Sequence, residues 1–234
     1  MNWQFIMIFQ HIHLATNGEK MKTVLDINDV VRMMKYVSRQ IINWQDLLNE
    51  ADRLIGDGDH GTSMARGFEA VLEVLDTEAF STLDSVFLTI GNTILSAVGG
   101  SAGVIFCTLF RSGSKALIGK ETLDSVCMAE FLEKAMEAIM KRGGAKPGDK
   151  TMLDALYPAV IRSAEMKQAP LGEFLKEMAV VSDQGVENTK LMKAAFGRAK
   201  TYKEGAVGFA DPGAITTSLI FKYMEEFIAS EVAT

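Results

Sequence analysis

Residues 52–61 read DRLIGDGDHG, which sets Asp52, Asp57 and Asp59 within eight positions, interrupted by Gly56 and Gly58 and followed by His60 and Gly61. Three carboxylates this close repel one another in a folded chain and become favourable only around something cationic. Mg²⁺ takes hard oxygen ligands and shares them with substrate phosphates, so the segment points to a metal–phosphate site. Turn and cap duty, with Asp59 capping the next helix, accounts for one or two of the carboxylates but not for three. His60 is a candidate base, a candidate phosphate contact or a plain loop residue. Gly61, Thr62 and Ser63 add backbone N–H groups and hydroxyls at a helix start, an anion-binding arrangement.

The same stretch satisfies G-x-G-x-x-G, but a helical pattern precedes it where a dinucleotide site needs a buried strand. An EF-hand loop fails as well, because position 61 is Gly and no Glu stands at the required distance from Asp57. GGSAG at 99–103 repeats the glycine-then-helix pattern, and Ser101 and Ala102 are small enough to admit a ligand or simply to pack two helices tightly. Arg198 precedes a loop, where it can pair with a phosphate or with a surface carboxylate. Met152 opens a helical run and suits an adenine pocket or an ordinary core equally. Asp211 and Pro212 read as N-cap and first-turn residue of the last helix.

These residues must be carried by helices, since no segment alternates apolar and polar residues as a strand does. Residues 28–50 place Val30, Val31, Met34, Val37, Ile41, Trp44, Leu47 and Leu48 at helical steps. A second run follows the Asp/Gly loop through Met64, Phe68, Val71, Leu72 and Leu75, and others cover 82–98, 102–118, 122–142, 150–166, 171–195 and 212–230. Gly143-Gly144 after Lys141-Arg142 is a helix stop, and Asp149 behind Pro147 marks a start. Eight amphipathic helices with short links predict an all-α, closed up-and-down barrel or bundle of antiparallel helices. The Gly-rich links follow the first, third, fifth and seventh helices. Links of one parity lie at one end of such a barrel, so all four share a rim.

The chain has 234 residues, 48% of them apolar, and a formal net charge of −6. That balance argues against nucleic-acid binding, which needs a basic surface. Cys107 and Cys127 match no metal or redox spacing and read as a buried, reduced pair. Residues 1–20 are read as a non-native or disordered extension and 21–234 as a single helical domain. The apolar run at 3–9 is too short to span a bilayer and has no basic start, so no membrane association is expected. His11 and His13 form an HxH pair with no further ligands nearby in sequence. A peptide from residues 2–20 in natively expressed protein would overturn the extension reading.

DRLIGDGDHGTSMARGF, VGGSAG, RGGAKPGDKTMLDAL, GRA and GFADPGA together resemble, in order, the blocks of the ADP-binding L subunits of phosphotransferase-system-dependent dihydroxyacetone kinases. The resemblance covers about residues 25–230. It implies a barrel of eight antiparallel helices holding ADP on one rim through two Mg²⁺ bound by Asp52, Asp57 and Asp59. The nucleotide would be surrounded by His60, Gly61, Thr62, Ser63, Ser101, Ala102, Gly143, Met152, Arg198, Asp211, Pro212 and Gly213. It further implies a cytoplasmic enzyme of glycerol metabolism. A phosphocarrier M subunit would recharge the ADP to ATP in place, and a K subunit would hold the dihydroxyacetone that receives the phosphoryl group. A transcription regulator is a further implied partner, and no catalytic side chain is expected on this subunit.

Two departures stand out. Ser101 and Ala102 are exchanged relative to the family pattern, and Gly205 replaces an Arg that usually follows the Glu of the 201–208 loop. The competing readings are an ATP-using kinase domain of the same superfamily, a nucleotide-bound regulatory paralogue without transfer activity, and an all-helical Mg²⁺ hydrolase. An interior cavity able to hold a lipid is neither demanded nor excluded by the pattern.

Overall fold

A computed structural model describes residues 23–232; the expected extension at 1–20 and its HxH pair lie outside the described residues. Among the described residues nine α-helices follow in order: α1 Ile27–Asn43, α2 Gln45–Arg53, α3 His60–Thr77, α4 Leu83–Ala97, α5 Gly100–Ser114, α6 Ser125–Gly143, α7 Leu153–Glu165, α8 Leu171–Thr189 and α9 Pro212–Val232. A 3₁₀ segment, Arg198–Ala206, lies between the last two. Caps at the predicted punctuation set several ends. Asp211 accepts the Ala214 N–H at 2.8 Å at the start of α9, and Gly144 ends α6 in the left-handed conformation. Asp26 and Asp29 form a reciprocal capping box at α1.

Each helix packs on its neighbour in sequence, and α1 closes on α9. With α1 and α2 counted as one bent stave, eight staves form the ring. An even number lets every adjacent pair run antiparallel, including the closing pair. The expected closed barrel is therefore present. Its interior is filled with side chains, among them Phe68, Phe87, Phe110 and Phe174, with the Phe87 and Phe131 rings 4.9 Å apart. A gap of about 20 Å³ lies among Phe110, Phe131, Ile220 and neighbouring apolar residues, room for about one water molecule.

Four boundaries depart from the periodicity. The first predicted helix breaks at Trp44, whose backbone N–H bonds the Ile41 carbonyl at 3.1 Å and whose indole donates to the Tyr223 hydroxyl on α9. Leu123 is taken out of the fifth run by paired backbone bonds with Leu25 at 2.8 and 2.9 Å. Asp149 does not start α7; its side chain accepts the Lys146 N–H at 2.8 Å, closing the preceding turn. α8 stops at Thr189 rather than near residue 195: the chain tightens there into turns, with the Lys190 N–H on the Glu187 carbonyl and the Met192 N–H on the Thr189 carbonyl, each at 3.1 Å. The Thr189 carbonyl also accepts from the Lys150 ammonium at 2.6 Å. Among the described residues no helix is long and apolar enough to cross a membrane.

Candidate functional site

Asp52 stands in the last turn of α2, and its Oδ2 accepts three successive backbone N–H groups: Gly58 at 2.9 Å, Asp59 at 3.0 Å and His60 at 3.2 Å. The loop curls around this one carboxylate, helped by Gly58 at φ +77°, a conformation that L side chains rarely adopt. The His60 N–H is one of the donors that the first turn of α3 leaves without an intrahelical partner. Asp52 thus does the capping that the sequence suggested for Asp59, whose own side chain makes no cap bond. With the loop closed, Asp52, Asp57 and Asp59 bring one carboxylate oxygen each to within 4.8 Å of one another. At that spacing each pair repels by roughly 3 kcal/mol at an effective dielectric near 20. Arg198 forms an ion pair with Asp57, one positive charge against three negative ones. The set of hard oxygens close together fits a divalent cation such as Mg²⁺.

Beside the triad opens a cavity of about 290 Å³. Its wall is built from all four predicted links: Asp52, Asp57, Asp59 and His60 from the first, Ser101 and Ala102 from the second, Gly143 and Met152 from the third, and Arg198, Asp211, Pro212 and Gly213 from the fourth. The parity argument therefore holds in three dimensions. Ile105, Phe106, Ile139 and Phe196 supply an apolar part of the wall that no motif indicated. α5 begins at Gly100 without a side-chain cap, so its first N–H groups remain available at the rim.

Three predicted residues fall outside this wall. Gly61 is buried where α3 crosses α2, and a Cβ there would stand 1.9 Å from the Gln45 carbonyl oxygen. Thr62 exchanges two hydrogen bonds with Asn49 of α2, each 2.9 Å. The Ser63 N–H bonds the Asp59 carbonyl at 2.9 Å. These residues fasten α3 to α2 and to the loop, and so position the aspartates without facing the cavity.

His60 is buried, with Nε2 2.8 Å from Thr216 Oγ1. The Thr216 hydroxyl also lies 3.1 Å from the Pro212 carbonyl, and a proton donated there leaves its oxygen to accept from Nε2. Burial pushes His60 down to about 4, against the opposing pull of Asp52, and the ring is neutral at pH 7. Burial likewise lifts Asp211 to about 7; the Ala214 N–H and Lys150 hold it down, while Asp154 and Asp52 raise it. Two further buried groups escaped the sequence reading. Lys150 lines the cavity, and Asp154 accepts N–H groups from Gly148 and Thr151, shaping the turn before α7. Both lie in PGDKTMLD, a block whose charged residues were passed over in favour of its glycines and Met152. Thr216 had a fainter signal: the hydroxyl pair Thr216-Thr217 within an otherwise apolar helix.

Residues 54–226 match the family model of the DAK2 domain. The chain is 37% identical over 180 residues to the ADP-binding subunit DhaL of PEP-dependent dihydroxyacetone kinase 1 from Listeria innocua, covering 77% of this chain and 86% of that protein. It is 32% identical over 195 residues to the corresponding DhaL subunit of Escherichia coli, covering 78% and 92%. The crystal structure of the dihydroxyacetone kinase from C. freundii in complex with AMP-PNP and Mg²⁺ superposes with a TM-score of 0.69 at 25% identity. It covers 91% of this chain, which spans 36% of the length of that kinase. The matched span runs from the aspartate loop to the last helix and includes all four links that build the cavity: this chain belongs to the DAK2 domain family.

Proposed function

We propose that this chain is the ADP-holding subunit of a multi-subunit dihydroxyacetone kinase. One observation carries the reading: three carboxylates converge within 4.8 Å beside a 290 Å³ cavity, an arrangement suited to metal-bound phosphates. Asp52, Asp57 and Asp59 would hold Mg²⁺, two ions by the family resemblance, and bound metal neutralises phosphate oxygens in phosphoryl transfer. Asp52 has one oxygen committed to the loop N–H groups, which leaves the other for a cation. The uncapped start of α5, with Ser101 and Ala102, offers N–H donors to phosphate oxygens. Met152, Ile105 and Phe106 offer the apolar surface that a nucleobase requires. Arg198, released from Asp57 when a cation takes that carboxylate, becomes free to pair with phosphate.

In this reading the site binds and orients but carries no general base. The neutral His60 ring is engaged by Thr216, and the acceptor's proton has to be taken elsewhere. A partner K subunit would hold the dihydroxyacetone and a phosphocarrier M subunit would donate the phosphoryl group, with this chain holding the nucleotide between them in the cytoplasm. A transcription regulator would dock on the same loaded subunit.

Native mass spectrometry and metal analysis of the purified protein test the reading. ADP retained through dialysis, with Mg²⁺ bound, is the expected result. Rapid exchange of ATP and ADP would instead indicate an ATP-using kinase. Protein free of nucleotide that does not take up Mg-ADP would overturn the assignment.

A further inference from the structure

Lys150 is the one buried lysine or arginine among the described residues, 1% exposed. It is also the one non-glycine residue there with a left-handed backbone, at φ +60°. Such a conformation in a side-chain-bearing residue persists only where surrounding contacts hold it. Here they are visible. The ammonium donates to the Thr189 carbonyl and to the Phe209 carbonyl, each at 2.6 Å. Thr189 is the last residue of α8, and its carbonyl, which the helix end leaves without an intrahelical donor, accepts the Met192 N–H at 3.1 Å in the turn that follows as well as the Lys150 ammonium.

The two acceptors are the feet of a single loop. Next to them, the Gly208 N–H bonds the Lys190 carbonyl at 2.7 Å and the Asp211 N–H bonds Thr189 Oγ1 at 3.0 Å. The adjoining turn adds another tie, from the Ala195 N–H to the Asp149 carbonyl at 3.1 Å. Between the feet runs the segment carrying Arg198, which pairs with Asp57, and Tyr202, whose hydroxyl donates to the Gly56 carbonyl at 3.0 Å. Burial lowers the Lys150 pKa, while the charges of Asp211 and Asp154 work to keep it protonated.

We propose that Lys150 is a positioning residue: its ammonium clamps the two feet of the 190–208 loop and so holds Arg198 against the aspartate triad. Met, neutral and one atom shorter, fills most of the same space but removes the ammonium from both carbonyls, leaving the Thr189 oxygen to the Met192 N–H at 3.1 Å, and the loop base loosens. The effect on nucleotide is indirect, through Arg198, and rests on the reading of the cavity as a Mg-ADP site.

Hydrogen exchange on the full, nucleotide-free chain tests the clamp without relying on that reading. In Lys150→Met the amides of Ala195, Gly208 and Asp211 should exchange about tenfold faster or more, with α4 amides unchanged. Lys150→Arg should recover part of the protection. Mg-ADP should dissociate about tenfold faster from Lys150→Met, and adding Arg198→Ala should give little further acceleration, because both changes disable one device. Unchanged loop exchange, or fully additive effects of the two substitutions, would overturn the proposal. Should Lys150→Met not fold, amine acylation of the wild-type chain decides: Lys150 must react far more slowly than exposed Lys146, and equal rates would refute the clamp. A wild-type chain that exchanges as expected but takes up no Mg-ADP would refute the functional reading alone.

Discussion

Asp57 carries the least structural duty of the three aspartates. Asp52 organises the loop through three N–H acceptances, whereas Asp57 is exposed and meets Arg198 at the surface. Asp57→Asn should therefore abolish retention of Mg-ADP while the melting temperature of nucleotide-free protein stays the same or rises slightly, since one repulsive charge is gone. Nucleotide content by mass spectrometry, paired with a thermal melt, checks both halves. Native affinity in this variant would show that the aspartate assignment is wrong. Asp183 offers a test away from the site. It is partly buried on α8, and burial, aided by Glu187, lifts its carboxyl to about 6 against Lys190 and Lys222. A carboxyl raised in the folded state contributes stability below about pH 4 that is lost as pH climbs through about 6. Asp183→Asn should match wild type near pH 4 and exceed it by roughly 1 kcal/mol near pH 8, after discounting for solvent screening. Urea denaturation at the two pH values measures this, and a loss of stability at both would mean that the carboxylate is engaged in a favourable ion pair.

At the scale of elements, the crossing of α2 and α3 decides where the aspartates stand. Gly61 lets the start of α3 approach the Gln45 carbonyl, and a methyl group there meets backbone at 1.9 Å and 2.8 Å. Backbone cannot rotate away as a side chain can. Overpacking of this kind costs about 1–3 kcal/mol, against at most about 1 kcal/mol gained by replacing Gly with Ala in a helix. Gly61→Ala should lose about 2 kcal/mol in urea unfolding and also weaken Mg-ADP binding by shifting the loop; an unchanged midpoint would show that α3 can slide on α2. The sequence marked Gly61, Thr62 and Ser63 as a phosphate cradle because glycine and hydroxyl residues at a helix start serve both ligand approach and helix approach. Only the position of α2 distinguishes the two. The break at Trp44 was hidden for a similar reason: periodicity continues through residues 28–50, and what divides them is a backbone turn and an indole bond to a residue 179 positions away.

For the whole molecule, the cavity draws one wall from each of four links, so a bound ligand joins staves that pack mainly on their neighbours. Binding to the folded state alone stabilises by about 2.7 kcal/mol at a hundredfold excess over the dissociation constant. In a domain of this size that corresponds to about 5–10 °C in melting temperature. Stripping metal and nucleotide with EDTA should lower the melt by that amount while the transition remains single. Two separated transitions would mean that the rim unfolds independently of the barrel. The architecture itself was readable because closing a ring of amphipathic helices requires only their number, their apolar faces and the shortness of their links. All three are properties of contiguous residues.

The sequence by itself determined that this protein is helical, that it is an up-and-down barrel or bundle of eight staves, that its glycine-rich links share a rim and that three carboxylates crowd on one of them. Each follows from local spacing, in which helical period, cap chemistry and charge density are written within a few residues of one another. The tertiary structure decided which rim residues face the cavity and which fasten helices, that Asp52 rather than Asp59 caps α3, that His60 leans on Thr216 and that Lys150 ties the feet of the Arg198 loop. Those pairings join residues 156 positions apart for His60 and Thr216, and 39 and 59 for Lys150 and its two carbonyls. No local pattern encodes them, because a hydrogen bond between distant positions depends on where the closed barrel brings the two chains together.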